Sequence, residues 1–211
     1  MLSSINLSRM CEEIERVFPL SEEVRRALMQ VDRALFVPSS MQRHAYMLNP
    51  LPLQKEQWVS SPLTVAKMTQ YLLPQGGDSV LEIGCGSGYQ AMVLSKLFRR
   101  VFSIERIAKI LLEAQERIRQ CGAYNINTKL DDGQKGWSAY APYDRILFSA
   151  CAEHIPASII EQLQEDGVLV APMIQDQKQF IMRFFKKNGK LGEGEILEEC
   201  LFVPVNNGVI Y

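Results

Sequence analysis

The residues that could do chemistry gather around one decapeptide, Val80-Leu-Glu-Ile-Gly-Cys-Gly-Ser-Gly-Tyr89. An apolar run ends in three alternating glycines and passes into a helical pattern. The segment therefore reads as a buried strand, a glycine turn and the start of a helix. Gly84, Gly86 and Gly88 let the backbone approach a ligand with no Cβ in the way, and the first amides of the helix offer it unsatisfied N–H groups. Glu82 adds a carboxylate at the strand's end, which disfavours a phosphate and favours a cationic, amine-bearing ligand. S-adenosylmethionine, with a positive sulfonium and an ammonium, is the cofactor this combination suggests. The competing readings are a dinucleotide site and a ligand-free glycine turn. The dinucleotide fingerprint needs a third glycine where this chain has Tyr89.

Ligands on open α/β sheets lie at the carboxyl ends of the strands. The next apolar segment, Val101-Phe-Ser-Ile-Glu105, ends in an acid 21 residues past Gly84, about the distance at which a carboxylate takes ribose hydroxyls. Asp132-Gly133 follows the next segment and could receive an adenine amino group and ring. Each has a plainer reading, Glu105 as a solvated acid and Asp132-Gly133 as a common turn. Asp131 competes with Asp132, and spacing does not choose between them.

These candidates need elements to position them. A chain of 211 residues fits one domain with an appended subdomain. A net charge of −1 predicts no general attraction to nucleic acid or anionic membranes. No apolar run is long enough to span a bilayer, and Met1–Asn6 lacks the basic-then-apolar pattern of a secretory leader. The five cysteines are scattered with no C-x-x-C pair. With two histidines in the chain, they argue against a disulfide frame or metal site and for a reducing, cytoplasmic setting.

Helical spacing covers residues near 4–17, and a second helix starts at Ser21 with Glu22 and Glu23 in its first turn. Residues 45–61 read as an irregular loop. Ser61-Pro62 opens a third helix, with serine as cap and proline in the first turn. Strands at 79–83, 101–105, 126–130, 145–149 and 167–171 then alternate with helices at 88–97, 107–120 and 157–165. This order predicts an α/β, Rossmann-like fold with a mostly parallel sheet. Residues 178–186 and 195–204 predict a C-terminal antiparallel hairpin turning near Asn188-Gly189. The expected organisation is a helical N-terminal extension with a loop over 1–75 and a cofactor-binding core over 76–211.

With these residues in place, the chain resembles the protein-L-isoaspartate (D-aspartate) O-methyltransferases, which have a class I S-adenosylmethionine-dependent methyltransferase fold. The resemblance is closest over residues 79–172 and rests on Val80-Leu-Glu-Ile-Gly-x-Gly-Ser-Gly-Tyr-Gln90, Val101-Phe-Ser-Ile-Glu-Arg106, Asp132-Gly-x-x-Gly136 and Ala141-Pro-Tyr-Asp144. Leu201-Phe-Val-Pro-Val205 and, upstream, Phe36-Val-Pro38, Pro50-Leu-Pro52 and Val59-Ser-Ser-Pro62 extend it over most of the chain. The resemblance implies repair chemistry: methylation of the α-carboxylate of isoaspartyl residues in damaged proteins and peptides, after which the ester closes to a succinimide. It implies that Glu82, Gly84, Gly86 and Gly88 surround the methionine part of the cofactor, Glu105 the ribose, and Asp132 and Gly133 the adenine. Gln57, Val59 and Ser60 would form the active-site loop, with the Ser60 hydroxyl near the transferred methyl. S-adenosylhomocysteine would be the product, with no metal needed. A monomer is the expected state.

The loop departs from that pattern. The family usually has Gly-x-Gly-Gln-Thr-Ile-Ser, whereas this chain has Gln54-Lys-Glu-Gln-Trp-Val-Ser60. Trp58, in the place of threonine, could swing outward, stack on a substrate peptide or block the usual site. An S-adenosylmethionine-dependent O-methyltransferase acting on another carboxylate is therefore the alternative function. An NAD-dependent oxidoreductase and a non-catalytic binding module are further rivals. The reaction itself asks little of acid–base groups, because a carboxylate nucleophile with a pKa near ~4 is already ionised at neutral pH. Ser60 is the catalytic candidate, as the residue that orients the acceptor; Ser61 is better placed as the helix cap.

Overall fold

The computed structural model describes residues 2–211; Met1, part of the stretch read above as lacking a leader pattern, lies outside them. The chain begins with α1 (Leu2–Glu15) and α2 (Glu22–Met29), the latter capped by Ser21, whose side chain accepts from the Val24 amide. Two short 3₁₀ turns follow. Next come the strands β1 (Leu51–Pro52) and β2 (Trp58–Val59), then α3 (Pro62–Tyr71). The core alternates through β3 (Ser79–Ile83), α4 (Tyr89–Leu94), β4 (Arg100–Glu105), α5 (Ala108–Gln120), β5 (Ile126–Leu130), β6 (Tyr143–Phe148), α6 (Ala157–Gln162) and β7 (Leu163–Gln175). It closes with β8 (Lys178–Lys187), β9 (Lys190–Leu191) and β10 (Glu195–Cys200).

The sheet runs β10-β8-β7-β6-β3-β4-β5, with β9 paired to β8. The pairs from β5 through β7 are parallel, and β8 and β10 join antiparallel. β3 lies centrally and is buried along its whole length, as a parallel strand covered on both faces must be. Its side chains alternate between two cores. Val80 joins Leu147, Met68 of α3 and Leu72 just after it, and Ala91 and Leu94 of α4. Leu81 and Ile83 join Ile146, Phe148 and Ile159 of α6. By the same alternation Glu82 lies on the α3–α4 face, the one over which the N-terminal layer is built. A third core unites α1 and α2 with Val59, Val65 and α4 through Tyr89, Met92 and Val93.

Several boundaries differ from the expected ones, each for a local reason. Residues 45–61 are not wholly irregular, since β1 and β2 form a small antiparallel ladder. α4 stops at Leu94 rather than near 97. There the Ser95 hydroxyl folds back onto the Met92 carbonyl and the Asn125 side chain donates to Ser95 and Phe98 carbonyls. α6 ends at Gln162, and residues 163–165 are strand. The buried Lys186 ammonium takes the Ile160 and Leu163 carbonyls at that junction, satisfying a helix C-terminus as a basic residue can. The last strand ends at Cys200 instead of 204, because Gln179 grips the backbone of Phe202 through both its amide atoms. From there the chain crosses the strand tips. Val203 and Val205 bond the backbone of Cys151, Gly208 donates to Asp132, and Ile210 pairs beside Ile107.

The β1–β2 turn places Lys55 and Glu56 at φ 57° and 58°. This is left-handed backbone, unfavourable for a residue with a Cβ. Glu56 occupies a position where the resembled family carries glycine, so the turn keeps a glycine conformation without the glycine. Glu56→Gly is expected to raise unfolding stability by up to about 1 kcal/mol, read from the midpoint of urea denaturation.

Candidate active site

The glycine turn stands at the tip of β3. Gly84, Gly86 and Gly88 have φ of 98°, 53° and 87°, all in the region that favours glycine. Their surroundings differ. A Cβ on Gly88 would press on Ile118 of α5 at 3.3 Å, whereas one on Gly86 would meet nothing within 4 Å. Gly88 is thus a packing glycine, and Gly86 faces open space. Tyr89, where a dinucleotide site would need glycine, is buried against Phe36 with ring centroids 5.7 Å apart. It ties the N-terminal layer to the glycine turn.

A cleft beside this turn is lined by Gln57, Trp58, Val59, Ser60, Glu82, Gly84, Gly86, Glu105 and Ser149, among others. Seven of the ten expected site residues, Gln57, Val59, Ser60, Glu82, Gly84, Gly86 and Glu105, therefore meet in one place. A second, more apolar cavity continues from it past Gln57, Gly84 and Ala150 to Ile83, Ile104, Ile107, Gly133 and Val203. Gly88 and Asp132 line neither cavity. Gly133 has a packing reason to be glycine, since a Cβ there would lie 2.5 Å from Ile83 Cγ2.

Glu82 has no exposed surface. The Ser103 hydroxyl donates to its Oε2 at 2.5 Å and the Ser149 hydroxyl to its Oε1 at 3.1 Å. Burial pushes its pKa up to about 8; the two hydroxyls pull it back in part and Glu105 repels the charge. Glu105 accepts from the Gly86 amide at 2.9 Å with one oxygen, and from the Arg106 and Ile107 amides at 2.9 and 3.0 Å with the other. It braces the turn as well as facing the cleft. Asp132 accepts from the Gln134 and Gly208 amides at 3.0 and 2.8 Å, holding the C-terminal crossing in place. Asp131 turns toward Lys129 and Lys135, and its carboxyl lies at about 2, held down first by Lys129. Cys85 is buried in the turn, and burial pushes its thiol well above the ordinary range, so it is no nucleophile.

The pairing register places Ser103 opposite Glu82. A polar residue inside an apolar strand was the available signal for it, but only the register reveals its partner. Val203 lines both cavities, a role visible only once the C-terminal segment is seen to cross the strand tips.

On its far side the cleft shares Trp58, Ser60, Ser149 and Val203 with a groove whose other lining residues are Pro50, Ser61, Thr64, Leu201 and Phe202. No charged side chain is among them. Ser61 caps α3 by accepting from the Thr64 amide at 3.0 Å, so the Ser60 side chain is not needed for that task. Trp58 is 53% exposed while lining both the cleft and the groove.

A mostly parallel sheet with an antiparallel edge, a glycine turn at its central tip and acids at two adjacent tips define a class I methyltransferase. Comparison with known proteins narrows the class. A sequence model of the protein-L-isoaspartate (D-aspartate) O-methyltransferases matches residues 6–209, and the chain belongs to that family. It is 55% identical over 208 residues to a Helicobacter pylori protein-L-isoaspartate O-methyltransferase, covering 99% of this chain and 100% of that one. A Fervidobacterium nodosum relative of the same name is 41% identical, covering 89% and 96%. Among solved structures, a protein-L-isoaspartate O-methyltransferase superposes with a TM-score of 0.86 at 24% identity, over 97% of this chain and 67% of that one. A Plasmodium falciparum structure in complex with S-adenosyl-L-homocysteine gives 0.83 at 19% identity, over 97% and 98%. At these identities the structures speak for the fold.

The state of Glu82 generates a linkage. In the free protein it holds a proton up to about pH 8, whereas a bound cation favours the carboxylate. If an ammonium-bearing ligand pairs with Glu82, its binding releases a proton at pH 7, and affinity rises with pH until it levels off above about 8. Titration calorimetry with S-adenosylhomocysteine in two buffers of different ionisation enthalpy is expected to show this release. Glu82→Gln should abolish it and weaken binding by at least about tenfold.

Proposed function

We infer that this chain is a protein-L-isoaspartate O-methyltransferase that uses S-adenosylmethionine to esterify the α-carboxylate of isoaspartyl residues in damaged polypeptides. The observation that carries the reading is the shared wall: Ser60 and Ser149 border both the acid-lined cleft and the uncharged groove. A donor held on one side and an acceptor on the other would meet there.

The cleft's chemistry fits the cofactor. A buried carboxylate beside a glycine open to the cleft suits a positive amino-acid tail, and the apolar second cavity suits a flat ring. Glu82 would hold the ammonium, Gly84 and Gly86 would give the tail room, and Glu105 would take the ribose. Gly133 would border the adenine, with Asp132 supporting its backbone. Gln57 and Val59 would close the loop over the cofactor, while Gly88 would shape the turn from behind. When bound, the cofactor would supply an electrophilic methyl on a positive sulfur, which would leave with the electron pair as a neutral thioether once the acceptor oxygen took the methyl. The protein's work is to orient and to exclude water. Ser60 would donate to one carboxylate oxygen and aim the other. The uncharged groove leaves the acceptor's negative charge unneutralised, and so nucleophilic. Holding the reacting atoms in line lowers such barriers by about 7–11 kcal/mol.

The five cysteines are free, which supports a reducing, cytoplasmic setting. The enzyme would act as a monomer on polypeptides, without nucleic acid. No helix among the described residues is long and apolar enough to cross a membrane.

An isoaspartyl peptide is expected to accept methyl groups and the matched aspartyl peptide none, measured by methyl incorporation. Equal labelling of both would refute the acceptor. Ser60→Ala should lower kcat about 10²-fold, with S-adenosylhomocysteine affinity unchanged by calorimetry. Trp58→Thr removes an apolar surface from the groove's rim. It should raise KM for the peptide about tenfold at nearly constant kcat, the mark of binding shared by ground and transition states.

A further inference from the structure

Arg33 is a charged side chain with no exposed surface and no ion-pair partner among the described residues. Its guanidinium instead gathers backbone carbonyls. Nη1 donates to Ala45 at 2.6 Å, and Nη2 lies 3.2 Å from Asn49, 3.3 Å from Val59 and 2.8 Å from Ser60. Nε has no partner. The guanidinium also lies 5.8 Å from the centroid of Tyr89, the first residue of α4.

This is an expensive way to stabilise a fold. A buried charge costs several kcal/mol to desolvate, and a well-packed apolar residue in its place is often neutral or stabilising. What an apolar residue could not do is collect carbonyls from both ends of the 45–60 loop at one point. The choice of carbonyls is specific. Val59 and Ser60 own the carbonyls of the two peptide units that flank the Ser60 Cα. Fixing both fixes the backbone from which the hydroxyl projects. The contact with Tyr89 references that backbone to the glycine turn, and so to the donor cleft.

We propose that Arg33 is a positioning residue for methyl transfer, holding the peptides on either side of Ser60 so that its hydroxyl is presented at the wall between cleft and groove. The inference rests on the reading of Ser60 given above. The planar fork matters as well as the charge. Lysine, a point charge with rotatable donors, cannot reproduce carbonyl contacts from two nitrogens of one rigid plane.

The test is a double-mutant cycle on the full chain with Arg33→Lys and Ser60→Ala. Alone, Arg33→Lys should lower kcat on an isoaspartyl peptide by about 10- to 100-fold. Peptide KM and S-adenosylhomocysteine affinity should stay within about twofold. Hydrogen exchange should quicken in residues 45–60 and be unchanged in β3. In the Ser60→Ala background the same change should cost less than about threefold, because the group it positions is gone. Independent, multiplying losses would overturn the proposal, as would a loss confined to KM or one that merely follows the unfolded fraction. If Arg33→Lys is unfolded by circular dichroism, Arg33→Gln supplies the same readings. If neither folds, the residue is structural and the proposal falls. An inactive wild type would refute the functional reading instead, so the two failures are distinguishable.

Discussion

A carboxyl group with no exposed surface at the tip of the central strand is the constraint around which this molecule is arranged. Glu82 cannot ionise cheaply where it stands, and among the described residues two serine hydroxyls donate to it in compensation. A stable fold would more comfortably place an apolar residue there. Such a site would become useful on pairing with a cation, because the same low polarity that penalises a lone charge strengthens an opposite pair. Sheet position, strand register and the open glycine turn together leave a buried acid bordering the cleft.

Around that centre two layers must agree in position. The glycine turn belongs to the sheet, and the loop carrying Ser60 belongs to the N-terminal layer. Tyr89 joins them, being the first residue of the helix after the turn and a member of the core built by α1 and α2. A bulky residue there is thus more than an argument against a dinucleotide; it is the contact by which the sheet's tip meets the layer above it. Arg33, over the same ring, extends the junction to the loop.

Much of this was legible in the residues themselves. Strand β3, its glycines and the acid before them follow from composition and spacing, because backbone reach and charge are local properties. The capping role of Ser61 was legible too, since a serine directly before a first-turn proline caps a helix. Other parts depend on contacts between distant segments. Ser103 and Ser149 reach Glu82 only through strand register. Asp131 and Asp132 are adjacent, and only the packed structure turns one toward lysines and the other toward backbone amides. Arg33 reads as an ordinary basic residue until carbonyls as far as 27 positions away in the chain converge on it. Element ends were misjudged where a remote side chain intervened, as Lys186 does below α6 and Gln179 does at Phe202.

The path of the C-terminal segment also bears on how the protein is made. The acids of the cleft lie in β3 and β4, yet Val203 and the residues after it, which roof the strand tips, come off the ribosome about a hundred residues later. A nascent chain can assemble its central strands while the cleft still lacks its Val203 wall. The cleft beside the glycine turn therefore gains its Val203 wall only after every strand of the parallel part of the sheet has been made.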